Sequence, residues 1–262
     1  MKKPKADYAI QTVVNAMRLL EEFRDQEMLG VTELSRRLAL HKNNVFRLLA
    51  TLEQQGYIEQ ISDNERYRLG VKALELGQSF ARSRSLIRCA RAVLSELAEI
   101  TRESAHVGVI QDYQVVHVAG DQTDQAVMSG LRLGQRLPAH CTALGKALLG
   151  AAAEEIREAY DREVVRGGEL SARTQATITD PHKLFEELRT VGVRGFALDL
   201  EECEEGLCSA AAPVYDTDGR VVAAVSVSGP QFRLSHDRLL SEVAPRVVAA
   251  GERLSRELGF GA

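Results

Sequence analysis

The fold is decided by residues 31–69, which read VTELSRRLALHKNNVFRLLATLEQQGYIEQISDNERYRL. The first part of this stretch predicts a short helix with Thr32 as its N-cap, then a tight turn, then a second helix capped by Asn43 or a neighbour. The second helix ends at Gly56, a residue that commonly closes helices. Its spacing predicts one buried apolar face, made of Val45, Leu48, Leu49 and Leu52.

Two short extended pieces follow, at residues 57–60 and 66–69. Residues 61–65 between them are rich in turn formers, which predicts a β-hairpin. Upstream, residues 9–24 predict an amphipathic helix, because apolar side chains recur there at helical spacing. These side chains are Ile10, Val13, Val14, Met17, Leu20 and Phe23. Helix, helix, turn, helix and hairpin is the order of a winged helix-turn-helix, which we place in residues 1–70.

The second helix of such a motif usually directs its amino-terminal end at the bases of DNA. Asparagine can pair with adenine and arginine with guanine, while lysine and backbone amides hold phosphates. In the hairpin, two arginines alternate with Tyr67, so they are expected on the face opposite that side chain. The candidate DNA contacts are Thr32, His41, Lys42, Asn43, Asn44, Arg47, Arg66 and Arg68. A helical module with a charged face can also bind protein, and this alternative stays open.

The charge balance gives little support for nucleic-acid binding by itself. The net charge is −4; residues 1–70 hold 11 basic and 10 acidic side chains, and the remainder holds 22 and 27. Any contact with DNA therefore depends on where charges lie and on two copies acting together. No apolar run spans a bilayer, and no apolar stretch follows the basic start, so we expect a cytoplasmic protein. The cysteines lack a C-x-x-C spacing, which is typical of free thiols.

The rest of the chain is organised differently. Residues 71–84 and 86–102 predict two helices; residues 71–86 would link the domains, and an exposed apolar stripe there would be a candidate dimer surface. Residues 87–262 form the second domain. Strands are predicted at 106–110, 115–118, 126–133, 195–199, 209–215 and 221–228, and helices at 141–151, 152–161, 180–191 and 235–258. Strands and helices interleaved with hairpins predict an α+β domain with a central antiparallel sheet.

Several residues of this second domain could carry chemistry. Ala143 and Leu144 lie near a helix start, where free backbone N–H groups suit a carboxylate. Ser226 and Ser228 alternate on one strand face and either add hydroxyl donors or are small core residues. Asp199 lies within a strand, where burial of a carboxylate requires a partner.

Metal and catalytic interpretations are weaker. His140-Cys141 suggests a nucleophile, but the sequence offers no third orienting group at a recognisable spacing. Cys141, Cys203, Cys208 and a histidine are the ligand types of a zinc site, and this alternative stays open. The acidic run at residues 201–205 is either a cation site or a solvated loop. We expect neither an enzyme nor a bound cofactor.

These motifs together resemble the IclR family of bacterial regulators. Within the first domain, residues 30–38 are similar to the first helix of the family's DNA-binding motif, residues 45–58 to its recognition helix and exit, and residues 67–70 to the end of its wing. In the second domain, the resemblance is carried in order by residues 136–147, 199–202, 206–207, 211–214 and 224–230.

The resemblance implies a GAF-like effector-binding domain joined by linker helices to the winged helix-turn-helix. It also implies a homodimer or homotetramer, a palindromic DNA operator and a small effector, an organic acid or aromatic compound. The function expected is a repressor controlled by that metabolite; a metabolite-binding protein whose helical module contacts protein is the alternative. The effector contacts expected from this resemblance are Cys141, Ala143, Leu144, Asp199, Ser209, Ser226 and Ser228.

Two departures from the family pattern matter. The family often opens its recognition helix with Lys-Ser-Thr, whereas this chain has Lys42-Asn43-Asn44. This change alters base contacts, so no known operator can be assumed. The family often has cysteine at the position of Ser209, while the thiol of Cys208 comes one residue earlier. A shift of one residue places a side chain on the other face of a strand.

Overall fold

The computed structural model describes residues 9–61, 65–168 and 170–261. It divides into two compact units, residues 1–83 and 84–262, which are described separately. In these ranges no helix combines the length and the apolar character needed to cross a membrane.

The first unit is a winged helix-turn-helix. Its hairpin is antiparallel, with Glu59 directly opposite Arg68, and an isolated bridge joins Leu29 to Tyr67. Residues 62–64 of the predicted turn lie outside the described residues. The elements are α1 (Gln11–Glu21), α2 (Val31–Leu38), α3 (Lys42–Gln54), β1 (Ile58–Gln60), β2 (Tyr67–Leu69) and α4 (Val71–Ser83). The predicted apolar face of α3 is confirmed, because Val45, Leu48, Leu49 and Leu52 are all buried.

One helix cap of this unit differs from the predicted one, and the other, predicted as Asn43 or a neighbour, is identified. Helix α2 begins after Gly30, which has extended backbone angles, and Thr32 is therefore already inside its first turn. The prediction that Thr32 caps α2 is wrong. Helix α3 is capped by His41, whose Nδ1 accepts a hydrogen bond from the backbone N–H of Asn43 at 3.3 Å. The side chain of Asn43 is thus not the cap, and it is exposed.

The buried face of α1 also differs from the predicted one. Leu19 is fully buried and Phe23, just beyond the helix, is nearly so. The core cluster of the unit contains these two side chains together with apolar residues of α2 and α3. The amino-terminal half of the predicted face is instead exposed to solvent at Ile10, Val13, Val14 and Met17. Helical periodicity predicted the apolar stripe of α1, but it could not predict which other elements of the protein cover that stripe.

The second unit is built around a six-stranded sheet within the described ranges. Its strand order is β5-β4-β3-β8-β7-β6, and every neighbouring pair is antiparallel, as predicted. The strands are β3 (Ser104–Gln111), β4 (Gln114–Asp121), β5 (Arg136–Pro138), β6 (Ala197–Leu200), β7 (Leu207–Tyr215) and β8 (Val221–Pro230). The helices are α5 (Ser85–Thr101), α6 (Ala143–Ala151), α7 (Glu154–Tyr160), α8 (Pro181–Arg194), α9 (His236–Arg238) and α10 (Ala244–Glu257).

Helices cover both faces of this sheet. Ala211 belongs to the apolar cluster that contains residues of α6 and α8. Its neighbour Ala212 instead faces α10, where a Cβ on Gly251 would lie 3.4 Å from the Ala212 Cβ. Because successive strand side chains point to opposite faces, α6 and α8 cover one face and α10 the other. This three-layer arrangement fits the expected GAF-like domain.

The strand predicted at residues 126–133 is wrong. Residues 122–135 have no strand or helix, and β5 starts only at Arg136. Two backbone carbonyls of this segment are held by side chains rather than by a strand ladder. Ser104 donates its hydroxyl to the Ser129 carbonyl, and Arg233 donates to the Val127 carbonyl at 2.7 Å. The exposed apolar residues at 126–133, which the sequence pattern predicted to form a strand, therefore belong to a loop.

Candidate functional site

The first candidate site is the exposed side of α3. Its buried residues point into the core, which leaves a polar amino-terminal end facing outward, made of His41, Lys42, Asn43, Asn44 and Arg47. The turn before it is closed by the Ser35 hydroxyl, which donates to the Leu40 carbonyl at 2.6 Å. An exposed polar helix end on a rigid core is the geometry that enters a major groove.

Sequence reasoning missed one residue on this surface. Phe46 follows the polar end of α3, and 57% of its surface is exposed. A phenylalanine at this place adds nothing to the core, whereas apolar side chains can contact the methyl group of thymine in the major groove. Helical spacing could have predicted this exposure, because Phe46 lies outside the buried face that begins at Val45 and lies next to the exposed Arg47.

The wing arginines are partly engaged by acidic residues. Tyr67 is only 3% exposed, so the two arginines beside it point away from the core as predicted. Arg66 forms an ion pair with Glu33 of α2 at 3.1 Å, and Arg68 pairs with Glu59 across the hairpin. A phosphate approaching this surface would have to replace these exposed pairs, which are individually weak. Thr32 is exposed on α2.

The second candidate site is a small polar cavity on the α6 side of the sheet. Strand register brings its walls together: Asp199 lies opposite Ser209, and Ser209 lies opposite Ser228. Ser226 lies opposite Ala211, so these serines share the face that α6 covers. The cavity has a volume of about 30 Å³. Ala143 and Leu144 also line it, whereas Cys141 and Cys208 do not.

The amino-terminal end of α6 is fixed against this cavity. The Thr142 hydroxyl accepts a hydrogen bond from the Gly145 N–H at 3.2 Å and caps the helix. Gly145 has no room for a side chain, because an added Cβ would lie 2.2 Å from the Ala139 carbonyl oxygen. The backbone of Ala143 and Leu144 is thereby held at the wall, where helix N–H groups favour a negative charge.

The Asp199 carboxylate holds the turn after β6 and also has an altered pKa. One carboxylate oxygen accepts backbone N–H bonds from Glu202 at 2.8 Å and Cys203 at 3.4 Å. The other lies 3.5 Å from the Ser209 hydroxyl. Burial, reinforced by the charge of Glu202, raises the pKa of Asp199 to about 7. Near neutral pH this carboxyl can therefore donate or accept a hydrogen bond.

Among the cavity residues that were not predicted as ligand contacts, three carry nitrogen-containing side chains. His106 and His117 meet edge to face with ring centroids 5.3 Å apart, and Arg132 lies at the same cavity. Burial lowers the pKa of His106 to about 3 and that of His117 to about 4. The two histidines could have been found from sequence, because both lie on the adjacent strands of one hairpin. Arg132 gave no signal, since it lies in the segment misread as strand.

The geometry gives no support to the catalytic or metal interpretations. His140 places its Nε2 3.1 Å from the Ser171 carbonyl, so that nitrogen is engaged by backbone. Contact with Cys203, together with burial, raises the pKa of the Cys141 thiol, which opposes a thiolate nucleophile. Among the described residues no group of three potential ligands is placed to hold a metal ion.

The acidic run at residues 201–205 is not simply a solvated loop. Glu202 is buried and forms an ion pair with the buried Lys146 of α6. Glu204 pairs with Arg132, and Glu201 accepts the Gly206 N–H at 2.8 Å. Three of the four carboxylates thus tie the turn after β6 to its surroundings, with Lys146 anchoring the turn to α6.

Comparison with known proteins matches both units to one family. Residues 12–62 match the family described as "IclR helix-turn-helix domain". Residues 78–256 match "Bacterial transcriptional regulator IclR C-terminal". Together these matches cover most of the chain.

Curated relatives and solved structures agree with the family match. The chain is 34% identical to the HTH-type transcriptional regulator XynR of Escherichia coli, over 97% of this chain and 99% of that protein. It is 30% identical to the transcriptional repressor IclR of Escherichia coli, over 95% and 90%. An IclR homolog from Microbacterium hydrocarbonoxydans, solved with 4-hydroxybenzoate, superposes with a TM-score of 0.79 at 25% identity, covering 94% of this chain and 98% of that one.

Proposed function

Because the chain belongs to the IclR family and is a ligand-responsive, DNA-binding transcriptional regulator, we propose that it is a repressor controlled by a small organic acid or aromatic metabolite. The observation that carries this proposal is the exposed polar end of α3 on a winged helix-turn-helix core. We assign DNA binding to residues 1–70, a linking role to residues 71–86 and effector binding to residues 87–262.

DNA recognition in this proposal is divided between α3 and the wing. Asn43, Asn44 and Arg47 read base edges, while His41, Lys42 and Thr32 position the motif on phosphates. Arg66 and Arg68 exchange their acidic partners for the DNA backbone. Since both arginines are exposed and their pairs lie at the surface, this exchange has a small energetic cost.

Effector recognition is assigned to the polar cavity of the second unit. Ala143 and Leu144 offer helix N–H groups to a carboxylate, and Ser209, Ser226 and Ser228 add hydroxyls. The solved homolog with 4-hydroxybenzoate supports an aromatic or organic acid as ligand. Cys141 lies outside the cavity lining, and we assign it to the structure behind the wall. Neither catalysis nor a cofactor is needed for this function.

The active form is proposed to be a homodimer or a pair of dimers. Helix α4 carries exposed apolar side chains on the described surface at Val71, Leu74, Leu76 and Phe80. A second exposed apolar set on α1 consists of Ile10, Val13, Val14 and Met17. Large apolar surfaces on a folded unit are typical of protein interfaces. Two subunits would present two copies of α3 to a palindromic operator, as paired half-sites require.

The test is a selection of DNA sequences from a random library, followed by binding measurements on the selected site. We expect a palindromic site, and affinity that falls steeply with salt, because phosphate contacts release counterions. Specific binding should survive excess unrelated DNA. Recovery of no enriched sequence, with binding that is equal for all duplexes, would contradict the proposal.

Control by an effector is tested on the same complex. An acid that binds the second unit should change operator affinity by a factor corresponding to about 1–3 kcal/mol, the usual range of allosteric coupling. Loss of operator binding on adding the acid supports a repressor that is released by its ligand. An acid that binds and leaves operator affinity unchanged would contradict control by that site.

A further inference from the structure

The cavity contains two imidazole nitrogens that no described group satisfies. His106 Nε2 and His117 Nδ1 are buried and have no hydrogen-bond partner among the described residues. The two side chains are 1% and 5% exposed, and both line the cavity. Buried polar atoms without a partner are rare in folded proteins, because each costs the desolvation of that group.

The hydrogen bond made by the other ring nitrogen of each histidine decides which nitrogen carries the proton. His106 forms a hydrogen bond with the backbone of Gly130, and His117 forms one with that of Gln135, each raising the histidine pKa and therefore involving the carbonyl. A carbonyl oxygen only accepts, so the ring nitrogen that faces it carries the proton. In a neutral imidazole the remaining nitrogen can only accept. His106 Nε2 and His117 Nδ1 are thus two acceptors at one cavity.

The charges around these acceptors restrict what can donate to them. Arg132 lies at the cavity, and its positive charge acts on both histidines. An ammonium group would be repelled at this place, whereas a neutral hydroxyl would not. The amino-terminal end of α6 favours a carboxylate elsewhere in the cavity, whereas Arg132 is already paired with Glu204.

We propose that the effector is a carboxylic acid that also carries hydroxyl groups, which donate hydrogen bonds to His106 Nε2 and His117 Nδ1. This inference rests on the proposed function, because it names the ligand of that same cavity. His106 and His117 then determine specificity: a site built to pair with a hydroxyl rejects the analogue that lacks it. The cavity of about 30 Å³ holds about two water molecules, so the ligand must enlarge it on binding.

The first experiment is calorimetric titration of the full chain with matched pairs of acids. The pairs are D-gluconate with hexanoate, D-glycerate with propionate, and 4-hydroxybenzoate with benzoate. We expect at least one hydroxylated acid to bind, and its partner without hydroxyls to bind at least about tenfold more weakly. A partner that binds equally well, or a panel in which no hydroxylated acid binds, overturns the inference.

The second experiment assigns the preference to the two rings. His106→Phe and His117→Phe should each weaken the hydroxylated acid by about tenfold, while the acid without hydroxyls binds as before or more tightly. His182→Phe, a substitution at an exposed histidine, is the matched control and should leave both affinities unchanged. Equal loss of both acids in the cavity variants would indicate a structural role only and overturns the assignment.

A third measurement needs no variant and remains valid if a substitution prevents folding. In protein labelled with ¹⁵N at histidine, the ring signals of His106 Nε2 and His117 Nδ1 should shift on saturation with the acid, because they begin to accept a hydrogen bond. Unmoved signals at saturation overturn the inference. Operator binding is measured separately on the same sample, so a regulator that binds DNA and responds only to acids without hydroxyls would retain the proposed function and lose this inference.

Discussion

The two candidate sites of this protein are built in opposite ways. The surface of α3 comes from one continuous segment, and its polar side chains are exposed on a helix whose other side is the core. The cavity collects side chains from β3, β4, β6, β7 and β8, and those side chains are buried. A surface of the first kind can be changed at one residue without disturbing the fold. A cavity of the second kind couples ligand contacts to the stability of the domain.

The sharpest test of this contrast is Arg47→Ala. If Arg47 pairs with a base in each of two half-sites, its loss should cost roughly 1–3 kcal/mol per contact and abolish operator binding at working concentrations. The melting temperature should stay unchanged, because the side chain is exposed. Footprinting and thermal denaturation measure the two quantities. Arg24→Ala, at an exposed arginine outside the motif, is the control. A normal footprint from Arg47→Ala would remove α3 from the proposed role.

Gly145→Ala should show the opposite behaviour. An added Cβ would meet the Ala139 carbonyl at 2.2 Å, so the amino-terminal end of α6 must move. Overpacking of this kind typically destabilises by about 1–3 kcal/mol. The matched control is Gly77→Ala within α4, where an added Cβ meets nothing within 4 Å and should stabilise the helix by about 1 kcal/mol. Chemical denaturation measures both, and equal stability of the two variants would contradict the packing described for α6.

The histidine pair should make the cavity sensitive to acid. Burial lowers the pKa of His106 to about 3 and that of His117 to about 4, whereas the unfolded chain titrates near its ordinary value of about 6.5. Below that value the unfolded state binds more protons, so the stability that is complete above about pH 6.5 is lost as the pH falls. The loss is about 1.4 kcal/mol per pH unit for each histidine.

His117→Phe should therefore flatten the decrease in unfolding free energy between about pH 6.5 and 4 relative to the wild type. Asp199 contributes with the opposite sign, because its pKa is raised to about 7 and its protonated form is favoured by folding. Asp199→Asn should accordingly steepen the acid loss. Urea denaturation across this pH range measures each difference, and parallel profiles for all three proteins would contradict the buried, neutral state of the pair.

The smallest expected effect is a difference in stability between losing an observed helix cap and losing a residue that was wrongly predicted to be one. Thr142→Ala removes a hydroxyl that accepts the Gly145 N–H, which should cost about 1 kcal/mol. Thr32→Ala removes a side chain inside the first turn of α2 that caps nothing, so stability should change by less than about 0.5 kcal/mol. The two changes are compared by denaturant unfolding. A larger loss at Thr32 would restore the prediction made from sequence.

Local patterns predicted most of the first unit because its elements follow one another in space. The spacing of Val45, Leu48, Leu49 and Leu52 fixed the buried side of α3, and therefore its exposed side. The same reasoning failed for α1, where Ile10 to Met17 form an apolar stripe that the unit leaves exposed. Periodicity shows that a helix face is apolar, but the residues that cover this face come from other parts of the chain or from another molecule.

The sequence by itself determined the winged helix-turn-helix, the antiparallel sheet of the second unit and the family to which the chain belongs. The family resemblance already implied four polar ligand contacts in that unit, but only the tertiary structure decided how they meet and which further polar residues join them. Ser209, Ser226, Ser228 and Asp199 come together through strand register, and His106 joins them because β3 pairs with β8. Pairing between strands more than a hundred residues apart leaves no local signal, since it depends on how the whole sheet buries its faces. For the same reason Arg132 and the unpaired nitrogens of the two histidines could be found only in the folded chain.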